Sequence, residues 1–297
     1  MFLIHRLADT FFSGFGYPEN VKRILKTRPE ILSFEPTLAR GVDHDSVVRW
    51  DQFAQDVVSM ATGDSGLYGR SQWAERENLP KLSCQTVTEK WSCDIADVTA
   101  LSSCKTPLAN YVSLDALAEH KCTDLIEQIS HENLAKNLAH REILIIHEGE
   151  STSAHFQRYD WDDRLFLING NGAHHFAAAR YIALRLPQPV TLQGKCCDER
   201  INIAAVRAMC AEFEIFALRG LPILLNEFAE AMSQFGAPWL MARMPSPYGH
   251  DCQAIFLPKC KRRSSVVAQV LRQAGAFDIT GHLQSLCTTP KKMSGLL

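Results

Sequence analysis

Residues 164–180, RLFLINGNGAHHFAAAR, decide how the rest of the chain is read. Leu165 to Ile168 is a compact apolar run, which reads as a buried strand. Asn169-Gly170-Asn171-Gly172 is a turn. From Ala173 to Leu186, Phe176, Ala179, Ala183 and Leu186 recur at helical spacing and give a helix with one apolar side. Pro187 and Pro189 stop it, and Val190 to Leu192 reads as a short strand. A strand that feeds a glycine turn and then a helix leaves the first backbone N–H groups of the helix unpaired, at its positive end. Glycines let a ligand approach that backbone closely. Phosphate is the natural guest of such a place. His174 and His175 fall in the first turn, where imidazoles can donate hydrogen bonds or titrate near neutral pH. Neighbouring helical residues point different ways, so one of the two at most meets a given ligand atom.

Working outward, Leu114, Leu117 and Ala118 suggest a short helix that Ser113 can cap. Asp124–Ser130 and Asn133–Ala139 read as one or two helices, Glu142–Ile146 as a buried strand, and His147–Asp163 as a polar connection. Downstream, Glu199–Leu218, Leu224–Phe235 and Ser264–Ala274 are expected to be helical. Trp239–Met244 and Gln253–Leu257 read as paired strands around a proline-rich turn. Near the N-terminus, Val47, Trp50, Ala54, Val57 and Val58 suggest an amphipathic helix over Val47–Ala61. Gly63–Gly69 is read as a loop that lacks the Gly-Lys-Ser/Thr end of a phosphate loop, and Val87–Ser103 has no clear period. The expected fold is α/β or α+β: a small mixed sheet with flanking helices and helical N- and C-terminal elaborations. The regions expected are 1–107, a core over 108–195, and a helix-rich 196–297 packed on the core.

The 164–180 segment resembles the ParB/sulfiredoxin superfamily. Its signature is an apolar strand, then Gly-x-x-Arg or Gly-x-His-Arg, then a helix that begins with small residues. Here these are Leu165–Ile168, Gly172, His174, His175, Ala178 and Ala179. The helical stretch Leu125–Leu138, the strand Glu142–Ile146 and the strand Val190–Leu192 fall in the expected order, so the resemblance covers about residues 108–195. It implies a phosphate-binding turn and a bacterial or mobile-element origin. His175 stands where the superfamily's nucleotide binders typically carry arginine. Ala173 stands where sulfiredoxin has its catalytic cysteine, which argues against sulfinic acid reduction. No Glu-Asn-x-x-Arg element follows between Lys195 and Leu218.

Composition narrows the classes further. The chain has 297 residues, 31 Lys+Arg against 33 Asp+Glu, and a formal charge of −2, so there is no global basic field for nucleic acid. The start, MFLIHRLADTFFSGFG, is interrupted by Arg6 and Asp9, and no run is long and apolar enough for a membrane helix. A cytoplasmic protein without membrane contact is expected. None of the ten cysteines forms a Cys-x-x-Cys pair, so reduced thiols are expected rather than zinc ligands. Seven of the 11 histidines lie between residues 120 and 175, with Glu148, Glu150, Asp160, Asp162 and Asp163 among them.

The function read from these features is binding of a phosphate-bearing ligand, a nucleotide or nucleic acid, with hydrolysis as an added step. Ligand contacts are assigned to Asn169, Gly170, Asn171, Gly172, Ala173 and Arg180. Acid–base roles go to His174, His175 and Glu148. A nucleotide with a divalent metal is the cofactor considered, with His147, His155 and Asp160 as candidate ligands. Two alternatives stay open: an adaptor that keeps the fold without nucleotide chemistry, and a DNA-binding protein that uses the basic run Lys261, Arg262 and Arg263.

Overall fold

The structure is a computed structural model that describes residues 17–36, 41–55, 57–60, 79–147, 153–220 and 222–288. In chain order the elements are α1 (Glu19–Thr27), β1 (Val58–Met60), β2 (Ser83–Asp94), β3 (Val98–Leu101), α2 (Leu114–Lys121), α3 (Thr123–Ile126), α4 (His131–Leu138) and α5 (Leu144–His147). There follow β4 (His155–Tyr159), β5 (Asp162–Ile168), α6 (Ala173–Ala183), β6 (Thr191–Ile201), α7 (Ile203–Glu212), β7 (Phe213–Arg219) and α8 (Pro222–Phe235). The described part closes with β8 (Trp239–Arg243), β9 (Cys252–Pro258), α9 (Arg262–Gln273), β10 (Phe277–Asp278) and α10 (Ile279–Thr288). Among the described residues no helix is long and apolar enough to cross a membrane.

Contacts divide the chain into two compact units, each drawn from separated stretches, where the sequence reading sets three consecutive regions. Of the described residues, one unit takes 41–48, 83–147 and 153–201, and the other takes 17–36, 49–55, 57–60, 79–82, 202–220 and 222–288.

The unit that carries the 164–180 segment is a five-stranded mixed sheet in the order β2-β6-β4-β5-β3. β3 runs parallel to β5 and β6 parallel to β4, while the other pairings are antiparallel. The apolar run of β5 is continuous because the sheet is covered on both faces. Side chains alternate between the faces. Leu165 and Leu167 pack into the main core with Val98, Phe156 and Phe176, while Phe166 packs on the other face with Val47, Ala100 and Tyr159. Arg164 ties down the segment that covers that second face. It donates to the Gly41 carbonyl and the Ser46 hydroxyl, both at 2.7 Å, and pairs with Asp162 at 2.6 Å.

Helix α6 lies within the main core, and α2, α3 and α4 pack against it. Ala177, Ala178 and Ala179 are fully buried. Methyl side chains let neighbouring elements approach the helix from several directions. Arg180 is half-buried, and its guanidinium donates to Asp115 Oδ1 at 2.8 Å and to the Ala96 carbonyl at 3.0 Å. Helices α2 and α4 start on hydroxyl caps. Ser113 accepts from the Ala116 N–H, and Ser130 accepts from the Asn133 N–H.

The second unit is an antiparallel sheet in the order β1-β8-β9-β7-β10. Helices α1, α8 and α9 enclose one core with it, through Val21, Ile24, Phe228, Met232, Val267 and Leu271 against Phe216 and Ile255. The Thr280 hydroxyl at the start of α10 accepts the Ile215 N–H of β7 at 2.8 Å.

The mixed sheet with flanking helices agrees with the expected class, as does the β8–β9 pairing, but several local expectations are overturned. Glu142–Ile146 is not a strand. Both places beside β4 are filled, by β5 and by β6, so Ile145 lies over the sheet instead, at Gly194. A Cβ on Gly194 would come within 2.5 Å of Ile145 Cδ1. The polar connection 147–163 contains β4, in which Phe156 joins the main core and Tyr159, three residues on, packs on the opposite face. Val47–Ala61 is not a helix: Ala54 has φ of +61°, which an α-helix cannot absorb, and β1 follows. Residues 199–218 hold a shorter helix between two strands, and the region after 196 supplies four of the five strands of the second sheet. The Gly63–Gly69 loop lies outside the described residues.

The tight fit around α6 predicts that Ala178→Leu costs about 2–3 kcal/mol, because the added carbons have no space to occupy. Urea unfolding of the variant against wild type measures this. Loss of less than ~0.5 kcal/mol would show that the helix has room around it.

Candidate functional site

β3 and β5 are parallel neighbours, with Leu101 beside Leu167, so the segments after them leave the sheet at one edge. The first, Ser102 to Thr106, is irregular. The second is the Asn169–Gly172 turn that leads into α6. Two hydrogen bonds lock them together: Ser102 Oγ accepts the Asn169 N–H at 2.9 Å and donates to the Asn169 carbonyl at 3.1 Å. Asn169 itself is buried. Its Nδ2 donates to the Ser103 carbonyl at 3.1 Å and the Asn171 carbonyl at 2.9 Å. Its Oδ1 is buried and has no donor.

The two glycines of the turn have different tasks. Gly172 is the N-cap of α6 with φ of +76°. A Cβ there would lie 2.5 Å from the Glu142 carbonyl oxygen. The close approach that this glycine permits is therefore made by the chain's own backbone. Gly170 has no such neighbour within 4 Å and needs no left-handed backbone. Space for a ligand is at Gly170 and the exposed Asn171, while Ala173 is buried. No side chain caps α6, so its first N–H groups keep their capacity to donate.

His174 and His175 face different surroundings. His174 Nε2 lies 3.0 Å from Thr106 Oγ1 and 3.4 Å from Cys104 Sγ. Its carbonyl accepts from the Cys122 thiol at 3.5 Å. Burial, then Lys105, then Lys121 lower its pKa below the ordinary 6.5. Both lysines are exposed. His175 Nδ1 lies 3.1 Å from Asn137 Oδ1. Asn137 uses its Nδ2 on the carbonyls of Leu125 and Asn133, so its Oδ1 is the acceptor and His175 Nδ1 carries the proton. The lone pair is then on Nε2. The ring stacks on His140 with centroids 3.7 Å apart. Burial, then the neighbouring His140, lower the His175 pKa against the opposing pull of Glu142.

The other sequence candidates are dispersed. Arg180 does not line the turn, because its guanidinium serves Asp115 and Ala96. Asp160 accepts the Ile201 N–H and lies past the end of β4 where Tyr159 pairs with Asp162. The turn follows the opposite end of β5, about 20 Å away at the usual rise per strand residue. His147 Nε2 is at 2.9 Å from the Leu138 carbonyl, and His155 Nδ1 at 3.0 Å from that of Ser153. Among the described residues no three His, Cys, Asp or Glu side chains are placed to hold a metal, so these three do not form the expected centre. Glu148 lies outside the described residues. In the other unit, Lys261 is the N-cap of α9, and the Arg263 guanidinium sits over the Phe235 ring, 5.7 Å from its centroid. Lys261, Arg262 and Arg263 are all exposed. A cleft of about 270 Å³, lined by Gln52, Gln55, Arg243 and Ser246, brings no histidine or carboxylate together.

Sequence reading missed Cys104, Lys105, Thr106, Lys121, Asn137 and His140. The first three lie in the Ser-Ser-Cys-Lys-Thr segment, whose importance comes from the parallel pairing of β3 with β5.

Two outcomes follow from this geometry. Gly172→Ala should destabilise by about 2 kcal/mol or more, since strain at positive φ adds to the clash with Glu142. Gly170→Ala should stay within ~0.5 kcal/mol of wild type in the same urea titration. The depressed histidines set a sign for pH. The unfolded chain binds protons at the ordinary 6.5, while folded His174, His175 and His282 resist them. Stability is therefore full above that value and falls as pH drops from it toward the folded pKa. Melting temperature measured from pH 8 to pH 5 should decline, and less steeply in His175→Gln.

No curated protein and no solved structure matches the chain. Residues 88–295 match a family described as a family of unknown function, DUF6685, and that span takes in β3, β5 and the whole turn. With well over half of its length matched, the chain belongs to the DUF6685 family.

Proposed function

We propose that this protein binds a phosphate-bearing ligand, a nucleotide or a nucleic acid, at the Gly170–His175 turn. The observation that carries the reading is the uncapped start of α6 beside two exposed lysines, Lys105 and Lys121, near enough to depress His174. Helix N–H groups give direction to the contact, and the lysines supply the fixed charge that His175 lacks in the place of arginine. The likeness of the turn to the ParB/sulfiredoxin signature belongs to this same reading. If hydrolysis accompanies binding, His175 Nε2 is the nitrogen with a lone pair to accept a proton, because its Nδ1 proton is committed to Asn137.

A thermal-shift panel of nucleoside triphosphates and inorganic phosphate, with and without divalent metal, tests it. A ligand that binds only the folded state raises the melting temperature. The expected result is a rise with at least one nucleotide that is lost in a Lys105→Ala, Lys121→Ala double variant with an unchanged ligand-free melt. No shift with any compound, or an equal shift in the double variant, overturns the proposal.

A further inference from the structure

The edge where the segments after β3 and β5 meet also holds a nucleophile beside a base. Cys104 Sγ lies 3.4 Å from His174 Nε2, and both residues are half-buried. Thr106 steadies both partners. Its backbone N–H donates to Sγ at 3.4 Å, and its hydroxyl lies 3.0 Å from Nε2. Cys104 Sγ therefore meets a backbone N–H and an imidazole nitrogen at one place. A separate observation marks the same edge as unfinished. Asn169 is only 8% exposed, and its Oδ1 has no donor in the described structure. The two bonds from Nδ2 fix which end of the amide is the acceptor. Through Ser103 and Asn171 that amide is held between the backbone next to Cys104 and the backbone that leads into His174. A buried acceptor without a donor is a place for a ligand N–H or O–H.

Other thiols lack this setting. Burial pushes Cys93 and Cys196 up to about 12, and Cys122 and Cys210 up to about 11, which keeps them protonated. Cys84 and Cys260 are exposed.

We propose that Cys104 and His174 form a thiol–imidazole pair that attacks the carbonyl of an acyl substrate carrying negative charge. The Sγ proton moves to His174 Nε2 as sulfur attacks the carbonyl carbon. The new C–S bond forms, the bond from that carbon to the leaving group breaks, and the leaving group takes the proton from Nε2. Water then attacks the thioester and gives its proton to Nε2. The C–S bond breaks, the carboxylic acid departs, and sulfur recovers its proton. The net change is hydrolysis, with water as the only co-reactant. Lys105 and Lys121 account for the preferred charge of the substrate, and Asn169 Oδ1 accepts its N–H or O–H. The proposal stands apart from phosphate binding, since its first test needs no phosphate ligand.

The test is site-resolved alkylation of the reduced, full-length protein by limiting iodoacetamide, read by peptide mass spectrometry over pH 6–9. Cys104 should react about tenfold faster than the more exposed Cys84 and Cys260 at neutral pH. In His174→Gln its rate should fall about tenfold while Cys84 is unchanged. Equal rates for the three cysteines, or no change in a His174→Gln variant with a wild-type melt, overturns the pair. If His174→Gln does not fold, the pH–rate profile of wild-type Cys104 decides. A pair gives reactivity that persists below the range of a free thiol, and a single titration at about 8.5 overturns it. Neutral and carboxylate-bearing nitrophenyl esters then probe the substrate class. An acyl adduct on Cys104, formed faster from the charged ester, is expected. An absent adduct, or equal rates from the two esters, overturns the assignment.

Discussion

Helix α6 can occupy the middle of its unit because three consecutive residues, Ala177, Ala178 and Ala179, are reduced to methyl groups and fully buried. A helix with larger residues there would need to keep its neighbours at a distance. With alanines, α2, α3 and α4 close around it while Phe176 and Ile182 fill the core. Everything at the candidate site inherits this constraint. The position of the first turn of α6 is set by the packing of its body, and the first turn carries both histidines.

The start of the helix is fixed as firmly from outside. Gly172 stands against the Glu142 carbonyl, Asn169 is held by Ser103 and Asn171, and Ser102 bridges the two segments leaving the sheet. These bonds are made by backbone groups that a loop would otherwise have to satisfy with water. The result is a rigid edge with a small number of groups left over: helix N–H donors, the Asn169 oxygen, the Cys104 sulfur and two lysines. Rigid support with a few unsatisfied groups is the arrangement a binding site requires.

The two histidines show how the same residue type acquires different properties a single position apart. His175 has its tautomer chosen by Asn137 and its face covered by His140. His174 turns toward Cys104 and Thr106. Burial depresses both, the lysines add to it at His174, and His140 adds to it at His175, so the neutral form of each ring is favoured. A neutral imidazole can accept a proton, which a permanently charged arginine in the same place could not do.

The sequence by itself determined the elements whose signal is local. The run 165–168 reads as a strand, the glycine after it as a turn, the alanine-rich stretch as a helix, and Ser113 as a cap, because each depends on neighbours a few residues away. Phe156 and Tyr159 stand three residues apart, a spacing that gives no period of two, so β4 carries no local strand signal. Tertiary structure decided the rest. Glu142–Ile146 has the composition of a strand, but β5 and β6 already occupy both sides of β4, so it lies over the sheet instead. Asp160 follows the signature in no spatial sense, since antiparallel pairing of β4 with β5 carries it to the far end of the sheet. Cys104 and Lys105 reach His174 because β3 pairs in parallel with β5 across more than sixty intervening residues. Pairing between distant strands is set by how the whole sheet buries its faces, and no window of neighbouring residues contains that information.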